Sequence, residues 1–255
     1  MGRLKADRAA LYHRTMGNLA AGRVNIVLAP GFMSDRDLWA DAKHGLQGIG
    51  DLTYADFSRD GSIEAMAHRL LNDAPERFVL IGFSMGGYIA REAARLAPRR
   101  VLALVLIATS SRGDPDLQAQ RKATVASALN VSKFTGLSRR SIASSLAADH
   151  ADQETIARIR AMGDRLGGEV FQRQSNLVRD SDADCLAEIS CPTLVIAAAK
   201  DRLRSLAEAQ ELHEGIRQST LITIAGSGHM IPLEAPDSMV GAIAAWLGSL
   251  PGVAA

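Results

Sequence analysis

The chain has 255 residues, of which 47% are hydrophobic and 22% are charged, and its formal net charge is +1. This length suits one large α/β domain or two smaller ones, and the apolar fraction is sufficient for a buried core. The near-neutral charge balance gives no electrostatic basis for binding nucleic acid or an anionic membrane.

The beginning of the chain, MGRLKADRAALYHRTMG, has charges spread through it and lacks the apolar centre of a secretory signal. No uninterrupted apolar stretch is long enough to cross a bilayer. The only cysteines are Cys185 and Cys191, too few for a disulfide framework or a cysteine-rich zinc site. We therefore predict a soluble protein with two ordinary thiols, located in the reducing cytoplasm.

Five short apolar runs, each bounded by turn residues, predict buried parallel strands. They lie at residues 24–29, 77–82, 101–108, 192–199 and 219–226. Helical patterns separate them, and in SIEAMAHRLL the expected N-cap is Ser62. Alternating strands and helices predict an α/β fold with a mostly parallel, doubly wound sheet. Ligands bind such sheets beyond the carboxyl ends of the strands, so chemistry is expected in the loops there.

Residues 111–189 interrupt this alternation, because they contain only charged helical segments such as DLQAQRKATVASAL and QETIARIRAMGDRL. We predict that they form a helical lid over the strand ends, inserted into a core made of residues 1–110 and 190–255. The alternative is that these helices cover one flank of the sheet. Their clustering within a single connection favours a lid.

The stretch GFSMGG places Ser84 between the second predicted strand and the following helix. A sharp turn there forces the central residue into strained backbone angles and brings neighbouring backbone close. Gly82 and Gly86 lack the side chains that would clash. Such a turn lifts Ser84 Oγ out of the sheet and leaves the Met85 N–H at the helix start, pointing to the same spot.

This strand–Gly-x-Ser-x-Gly–helix pattern resembles the nucleophile elbow of the α/β-hydrolases. The resemblance runs from VLAPGF at the end of the first strand to GSGHMIPLEAPD near the end of the chain. It implies that Ser84 is the attacking residue. The family places its base in a loop after the last strand, which here contains His229 between glycine and methionine.

The family order of serine, acid and histidine implies an acid between residues 84 and 229. The resemblance expects it just beyond a strand end, where LVIAAAKDRLRS contains Asp201. Family members often carry a glycine and a downstream proline around this acid, and this chain has Ala198 and Ser205 instead. Some relatives carry the acid after the preceding strand, but Asp114 lies too far along the chain for that arrangement.

An oxyanion hole needs two N–H donors, and the resemblance implies the backbone N–H groups of Met85 and Phe32. The family usually has a His-Gly-X signature in the loop after the first strand, where this chain has Pro30 in place of the histidine. A rigid proline could steady the loop, or PGF could be only a tight turn. Met33 and Met230 would line an apolar substrate pocket, although methionines are also common as core filler.

The sequence therefore predicts a serine hydrolase that cleaves a carboxylic ester or lactone of a small hydrophobic substrate through an acyl-enzyme. No cofactor or metal is expected, since no phosphate-binding glycine motif or metal-ligand spacing occurs. The same three residues would also suit C–C bond hydrolysis, acyl transfer or perhydrolysis. A ligand-binding receptor on the same fold is a further alternative, and the intact triad argues against it.

Overall fold

The computed structural model describes residues 23–114, 124 and 131–251. Six parallel strands form one sheet in the order β2-β1-β3-β4-β5-β6. The strands are β1 (Val24–Ala29), β2 (Gly50–Tyr54), β3 (Phe78–Phe83), β4 (Val101–Ile107), β5 (Thr193–Ala198) and β6 (Ser219–Ile224). The predicted α/β class and the parallel sheet are confirmed.

Helices connect the strands, and four of the eight described α-helices begin at a side-chain cap. They are α1 (Lys43–Ile49), α2 (Ile63–Asp73), α3 (Met85–Leu96), α4 (Arg139–Ser145), α5 (Gln153–Ser175), α6 (Leu206–Gly215), α7 (Ile231–Glu234) and α8 (Pro236–Leu247). Ser62 caps α2 as predicted, accepting a hydrogen bond from the Ala65 N–H. Single 3₁₀ turns occupy Arg36–Trp39, Val131–Lys133, Ala148–His150 and Ala183–Glu188. None of the helices in the described part of the chain combines the length and apolarity that crossing a membrane requires.

All five predicted strands are present, with ends that differ by one or two residues. The sequence analysis did not identify β2, whose sequence GDLTY is not a continuous apolar run. It lies at the edge of the sheet and pairs only with β1, so its side chains are mostly half-exposed. The predicted helical segment at 116–129 lies outside the described residues except for Thr124.

Both faces of the sheet are buried, which explains why its central strands are continuously apolar. In β1, Ile26 and Leu28 belong to the core on one face, whereas Val27 and Ala29 belong to the core on the other. Fully burying an aliphatic side chain of this size contributes about 1.5–3 kcal/mol. The alternation holds the sheet between two helical layers and leaves its carboxyl edge to the connecting loops.

The connection between β4 and β5 contains α4 and α5 and no strand among its described residues. Helix α5 is interrupted at Gly167, which has φ 80° and ψ 174°. Ion pairs fasten this connection to the core, including Arg165 to Asp35 in the loop after β1. Arg91 of α3 is fully buried and forms a two-point ion pair with Asp182.

Helix α3 begins against the backbone of β1, and only glycine fits at that contact. A Cβ atom at Gly86 would lie 2.3 Å from the Ala29 carbonyl oxygen and 2.5 Å from that of Pro30. At Gly82 it would lie 2.7 Å from the Gly86 carbonyl oxygen. Because backbone atoms cannot step aside as a flexible side chain can, both glycines are needed for the turn between β3 and α3.

We expect Gly86→Ala to lower the free energy of unfolding by about 1–3 kcal/mol or more, because its methyl group overlaps two backbone carbonyls. Gly241→Ala in α8 is the matched control, since nothing lies within 4 Å of a Cβ atom there. That change should stabilise the protein by about 0.5–1 kcal/mol, because alanine is the better helix former. Urea denaturation of both variants measures the difference, and equal stability would contradict the close backbone approach.

Candidate active site

Ser84 occupies the turn between β3 and α3 with φ 51° and ψ −114°, a conformation that non-glycine residues rarely adopt. Holding it costs about 1–3 kcal/mol, so the surroundings must support it. The Ser84 N–H donates to the Ile107 carbonyl at 2.9 Å, and the Ser84 carbonyl accepts from Thr109 Oγ1 at 2.8 Å. These bonds fix the backbone on both sides of the serine and leave its hydroxyl free to meet another group.

That group is His229. Its Nε2 lies 2.9 Å from Ser84 Oγ, and its Nδ1 lies 2.8 Å from Asp201 Oδ2. The structure thus brings His229 to Asp201, 28 residues before it, and to Ser84, 145 residues before it. The Asp201 and His229 side chains are 1% and 6% exposed, whereas Ser84 is partly open to solvent.

Asp201 follows the carboxyl end of β5 and has hydrogen-bond partners on both oxygens. Its Oδ1 accepts from the N–H groups of Leu203 at 2.7 Å and Arg204 at 3.0 Å, while Oδ2 faces His229. An ionised carboxylate can only accept, so it requires His229 Nδ1 to be the donor. His229 Nε2 is then an acceptor for the Ser84 hydroxyl proton. The rejected alternative, Asp114, forms an ion pair with Arg179 instead.

A buried carboxylate that the sequence analysis did not single out, Glu234, organises the loop around His229. It accepts hydrogen bonds from the N–H groups of Gly228 at 2.8 Å, Met230 at 2.9 Å and Ala147 at 2.9 Å. The first two hydrogen bonds hold the residues on either side of the histidine, and the third joins the loop to the β4–β5 connection. The usable signal in the sequence was a carboxylate inside the otherwise apolar stretch HMIPLEAP.

Met85 and Phe32 each present a backbone N–H near Ser84. Among the described residues neither N–H donates a hydrogen bond. Met85 is the first residue of α3, where N–H groups have no partner within the helix. A Cβ atom on Gly31 would lie 3.3 Å from Ser84 Cβ, so the loop after β1 passes directly beside the serine.

The predicted pocket methionines are both buried, with Met33 0% and Met230 5% exposed. The Met33 N–H donates to Gln174 Oε1 of α5 at 2.8 Å. Beside them the Phe32 ring packs edge-on against Phe171 of α5, with centroids 5.7 Å apart. The loop after β1 thus contacts α5 of the β4–β5 connection both at the Met33 backbone and at the Phe32 ring.

This connection also contacts the loop that carries Asp201. Arg202 donates to the carbonyl groups of Ala143 at 2.9 Å and Leu146 at 2.8 Å. Lys200 forms an ion pair with Asp149, and that hydrogen bond lowers the pKa of the Asp149 carboxyl. A separate cleft of about 430 Å³ opens beside α5, and none of Ser84, Asp201 and His229 lines it.

The remaining described histidines lie apart from this site. His44 and His68 are exposed, and His213 contacts Ser219 on β6. His150 is half-buried within a 3₁₀ turn of the β4–β5 connection. Within residues 23–114, 124 and 131–251, no three metal-ligating side chains are grouped so that they could hold a metal ion.

Comparison with known proteins places this geometry in a family. A family model described as "alpha/beta hydrolase fold" matches residues 53–236. The enol-lactonase of Burkholderia xenovorans LB400 has a TM-score of 0.79 at 19% identity, covering 89% of this chain and 92% of the other. A thermophilic esterase from Thermogutta terrifontis has a TM-score of 0.76 at 26% identity, covering 88% and 89%.

Two curated relatives match over smaller parts of their own length. The biotin biosynthesis bifunctional protein BioHC of Cellvibrio japonicus is 25% identical over 86% of this chain and 46% of its own. The pimeloyl-[acyl-carrier protein] methyl ester esterase of Edwardsiella ictaluri is 33% identical over 40% of this chain and 42% of its own. This chain thus spans less than half the length of these relatives. On the match over residues 53–236, the chain belongs to the α/β-hydrolase family.

Proposed function

We propose that this protein is a cofactor-free serine hydrolase that cleaves a carboxylic ester or lactone of a small hydrophobic substrate. The observation that carries the proposal is the unbroken hydrogen-bonded chain from Ser84 Oγ through His229 to Asp201. An ordinary serine hydroxyl is a weak nucleophile, and an adjacent oriented base is what activates it. The names of the similar esterases and of the enol-lactonase support the same reaction class.

In the proposed reaction, Ser84 Oγ attacks the carbonyl carbon while His229 Nε2 takes the hydroxyl proton. The carbonyl oxygen becomes an oxyanion, which the Phe32 and Met85 N–H groups would stabilise. When the tetrahedral intermediate collapses, the C–O bond to the alcohol breaks and His229 returns the proton to the leaving oxygen. Water then repeats the sequence on the acyl-enzyme, releasing the acid and restoring Ser84.

Burial makes Asp201 an effective partner for His229. During attack the imidazole becomes a cation, and an ionised carboxylate 2.8 Å from Nδ1 stabilises that charge. With the carboxylate 1% exposed, water screens the interaction far less than it would at the surface. The bonds from Leu203 and Arg204 hold the carboxylate in position before the charge appears, so little reorganisation is needed.

We further propose that residues 111–189 act as a lid that selects the substrate. Support comes from the aromatic contacts Phe32–Phe171 and Phe134–Phe171, which bring two side chains of this segment to the loop beside Ser84. Together with buried Met33 and Met230, these rings favour an apolar acyl or alcohol group.

C–C bond hydrolysis, acyl transfer and perhydrolysis would use the same attack and differ in the bond broken or in the second nucleophile. Product analysis with added alcohol, or with peroxide and acetate, separates them from simple hydrolysis. A pure receptor would gain nothing from a strained Ser84 and a buried Asp201, both of which cost stability. That cost favours an enzyme.

An organophosphonate should label wild-type protein once per chain, at Ser84, because its hydroxyl is paired with a base. Ser84→Ala should abolish labelling and lower kcat for a p-nitrophenyl ester by at least about 10³-fold. Mass spectrometry of the labelled peptide and steady-state assays measure both effects. Labelling at another residue, or labelling that survives in Ser84→Ala, would remove the basis of the proposal.

Asp201→Asn should lower kcat by about 10³–10⁴-fold while the fold remains, because the amide favours the wrong imidazole tautomer. Asp149→Asn is the matched control, since that carboxylate is 72% exposed and pairs with Lys200 beside the same loop. We expect the control to keep kcat within about twofold. Similar losses in both variants would show that Asp201 has no special role.

Phe171→Leu should change the preference between short and long acyl esters, because the Phe171 ring packs against both Phe32 and Phe134. The ratio of kcat/KM values across a p-nitrophenyl ester series measures this, with phosphonate labelling of Ser84 unchanged. Helices that only cover the flank of the sheet would instead give a lower melting temperature and an unaltered ratio.

A further inference from the structure

The loop after β1 contains a turn that its sequence does not favour. The Gly31 carbonyl accepts a hydrogen bond from the Ser34 N–H at 3.3 Å, which closes a four-residue turn. Met33, at its third position, has φ 50°. Turns with a positive φ at that position normally require glycine or asparagine, and methionine there costs about 1–2 kcal/mol. Rotating the peptide between Phe32 and Met33 would give a type I turn without that cost.

Two side chains oppose this rotation: the Ser34 hydroxyl donates to the Phe32 carbonyl at 3.3 Å, and Gln174 accepts from the other side of the same peptide. Gln174 of α5 is 5% exposed, and its Oε1 accepts from the Met33 N–H at 2.8 Å. Its Nε2 donates to the Phe57 carbonyl, in the loop after β2, at 3.2 Å. Because the amide uses its acceptor on one loop and its donor on the other, both bonds require the same orientation of the side chain. Rotating the peptide would leave the Gln174 acceptor facing a carbonyl, at a cost of about 1–3 kcal/mol for a buried unpaired group.

The direction of the Phe32 N–H is set by the peptide before it. A trans peptide is planar, so the Phe32 N–H points opposite to the Gly31 carbonyl, which accepts from the Ser34 N–H. Gln174 fixes where the turn that carries this N–H lies, through the Met33 N–H. The Phe32 ring packs against Phe171, three residues before Gln174 on the same helix. Helix α5 therefore contacts the turn twice, once at the Met33 backbone and once at the Phe32 ring.

Other contacts between α5 and these loops are more exposed. Arg165 pairs with Asp35 and Asp37, and Arg173 donates to the Ser58 carbonyl. Exposed ion pairs typically contribute no more than about 1 kcal/mol each. The Gln174 contact differs because it is buried and bonds the backbone of the turn itself.

We propose that Gln174 is a positioning residue for the oxyanion hole: its bonds to the Met33 N–H and the Phe57 carbonyl fix the position of the turn that carries the Phe32 N–H. This rests on the proposed serine hydrolase function. Pro30, just before the turn, has no side-chain hydrogen-bond donor or acceptor, so the polar support of the turn comes from Ser34 within it and from Gln174 of α5. The packing of α5 against this loop is then part of what forms the oxyanion hole.

A purely structural role for Gln174, in which it only stabilises the packing of α5 on the core, predicts different behaviour. Loss of a stabilising contact lowers the melting temperature and leaves the chemical step of the folded enzyme intact. Loss of a positioning contact weakens binding of the transition state more than binding of the substrate. The separation of kcat from KM, and the affinity for an analogue that carries an oxyanion, therefore distinguish the two roles.

The test uses Gln174→Met, which keeps the length of the side chain and removes both hydrogen bonds. The matched control is Gln153→Met, the same change at an exposed position of the same helix. We expect kcat of Gln174→Met to fall about 10–100-fold with KM changed less than about threefold, a smaller loss than deletion of an oxyanion-hole donor causes. Affinity for an aryl trifluoromethyl ketone, which adds Ser84 Oγ and forms a tetrahedral oxyanion, should fall by the same factor as kcat/KM. Gln153→Met should match the wild type.

Wild-type protein separates the outcomes. If the phosphonate and the ketone modify Ser84 in the wild type but Gln174→Met keeps wild-type kcat and ketone affinity, the positioning role is wrong and the hydrolase stands. If neither reagent modifies wild-type Ser84, both proposals fail. If Gln174→Met does not fold, the test is the rate at which the Met33 amide hydrogen of the wild type exchanges with solvent. Formation of the ketone adduct should slow that exchange. Equal exchange rates with and without the adduct would overturn the positioning role.

Discussion

The arrangement of the site depends on the close approach of the α3 backbone to β1. Without a side chain at Gly86, the helix starts against the carbonyl oxygens of Ala29 and Pro30. That approach compresses the turn between β3 and α3, and Ser84 takes up the strain with φ 51°. It also brings the loop after β1 beside the serine, where a Cβ atom on Gly31 would lie 3.3 Å from Ser84 Cβ. The absence of a Cβ atom at Gly86 thus allows α3, the loop after β1 and the Ser84 turn to meet.

The β4–β5 connection is bonded to every loop of the candidate site. Gln174 binds the turn after β1, and Arg202 binds carbonyl groups next to α4 from the Asp201 loop. The His229 loop is attached twice, because its N–H donates to the Ser145 carbonyl and Glu234 accepts from Ala147. The described residues of the predicted lid segment, 111–189, therefore supply hydrogen-bond partners to the loops after β1 and β5 and to the His229 loop.

Membership of the α/β-hydrolase family accounts for the sheet and for the serine turn, and the chain departs from the resemblance mainly around the oxyanion loop. There Pro30 replaces a histidine, and the buried amide of Gln174 provides hydrogen bonds from another element. A buried polar side chain is costly unless both its donor and its acceptor are paired, and here both are. This support depends on the packing of α5 against the loop after β1. The same helix contributes both an apolar ring, Phe171, and a polar amide, Gln174, to that loop.

The sequence alone determined the features that are encoded locally. The four central strands are buried on both faces and appear as continuous apolar runs, while edge strand β6 was predicted from its β-branched sequence STLITI. The glycines around Ser84 revealed its turn because the steric conflict they avoid lies within a few residues. Resemblance to the family added Asp201 and His229, and in the structure His229 hydrogen-bonds both Asp201 and Ser84. Edge strand β2 was not predicted, because its half-exposed residues lack that pattern. Glu234 was not singled out, although its place in an apolar stretch of the sequence was a usable signal. Gln174 has no such signal: its partners lie 141 and 117 residues away, and only the packing of the folded chain decides which buried groups a distant side chain meets.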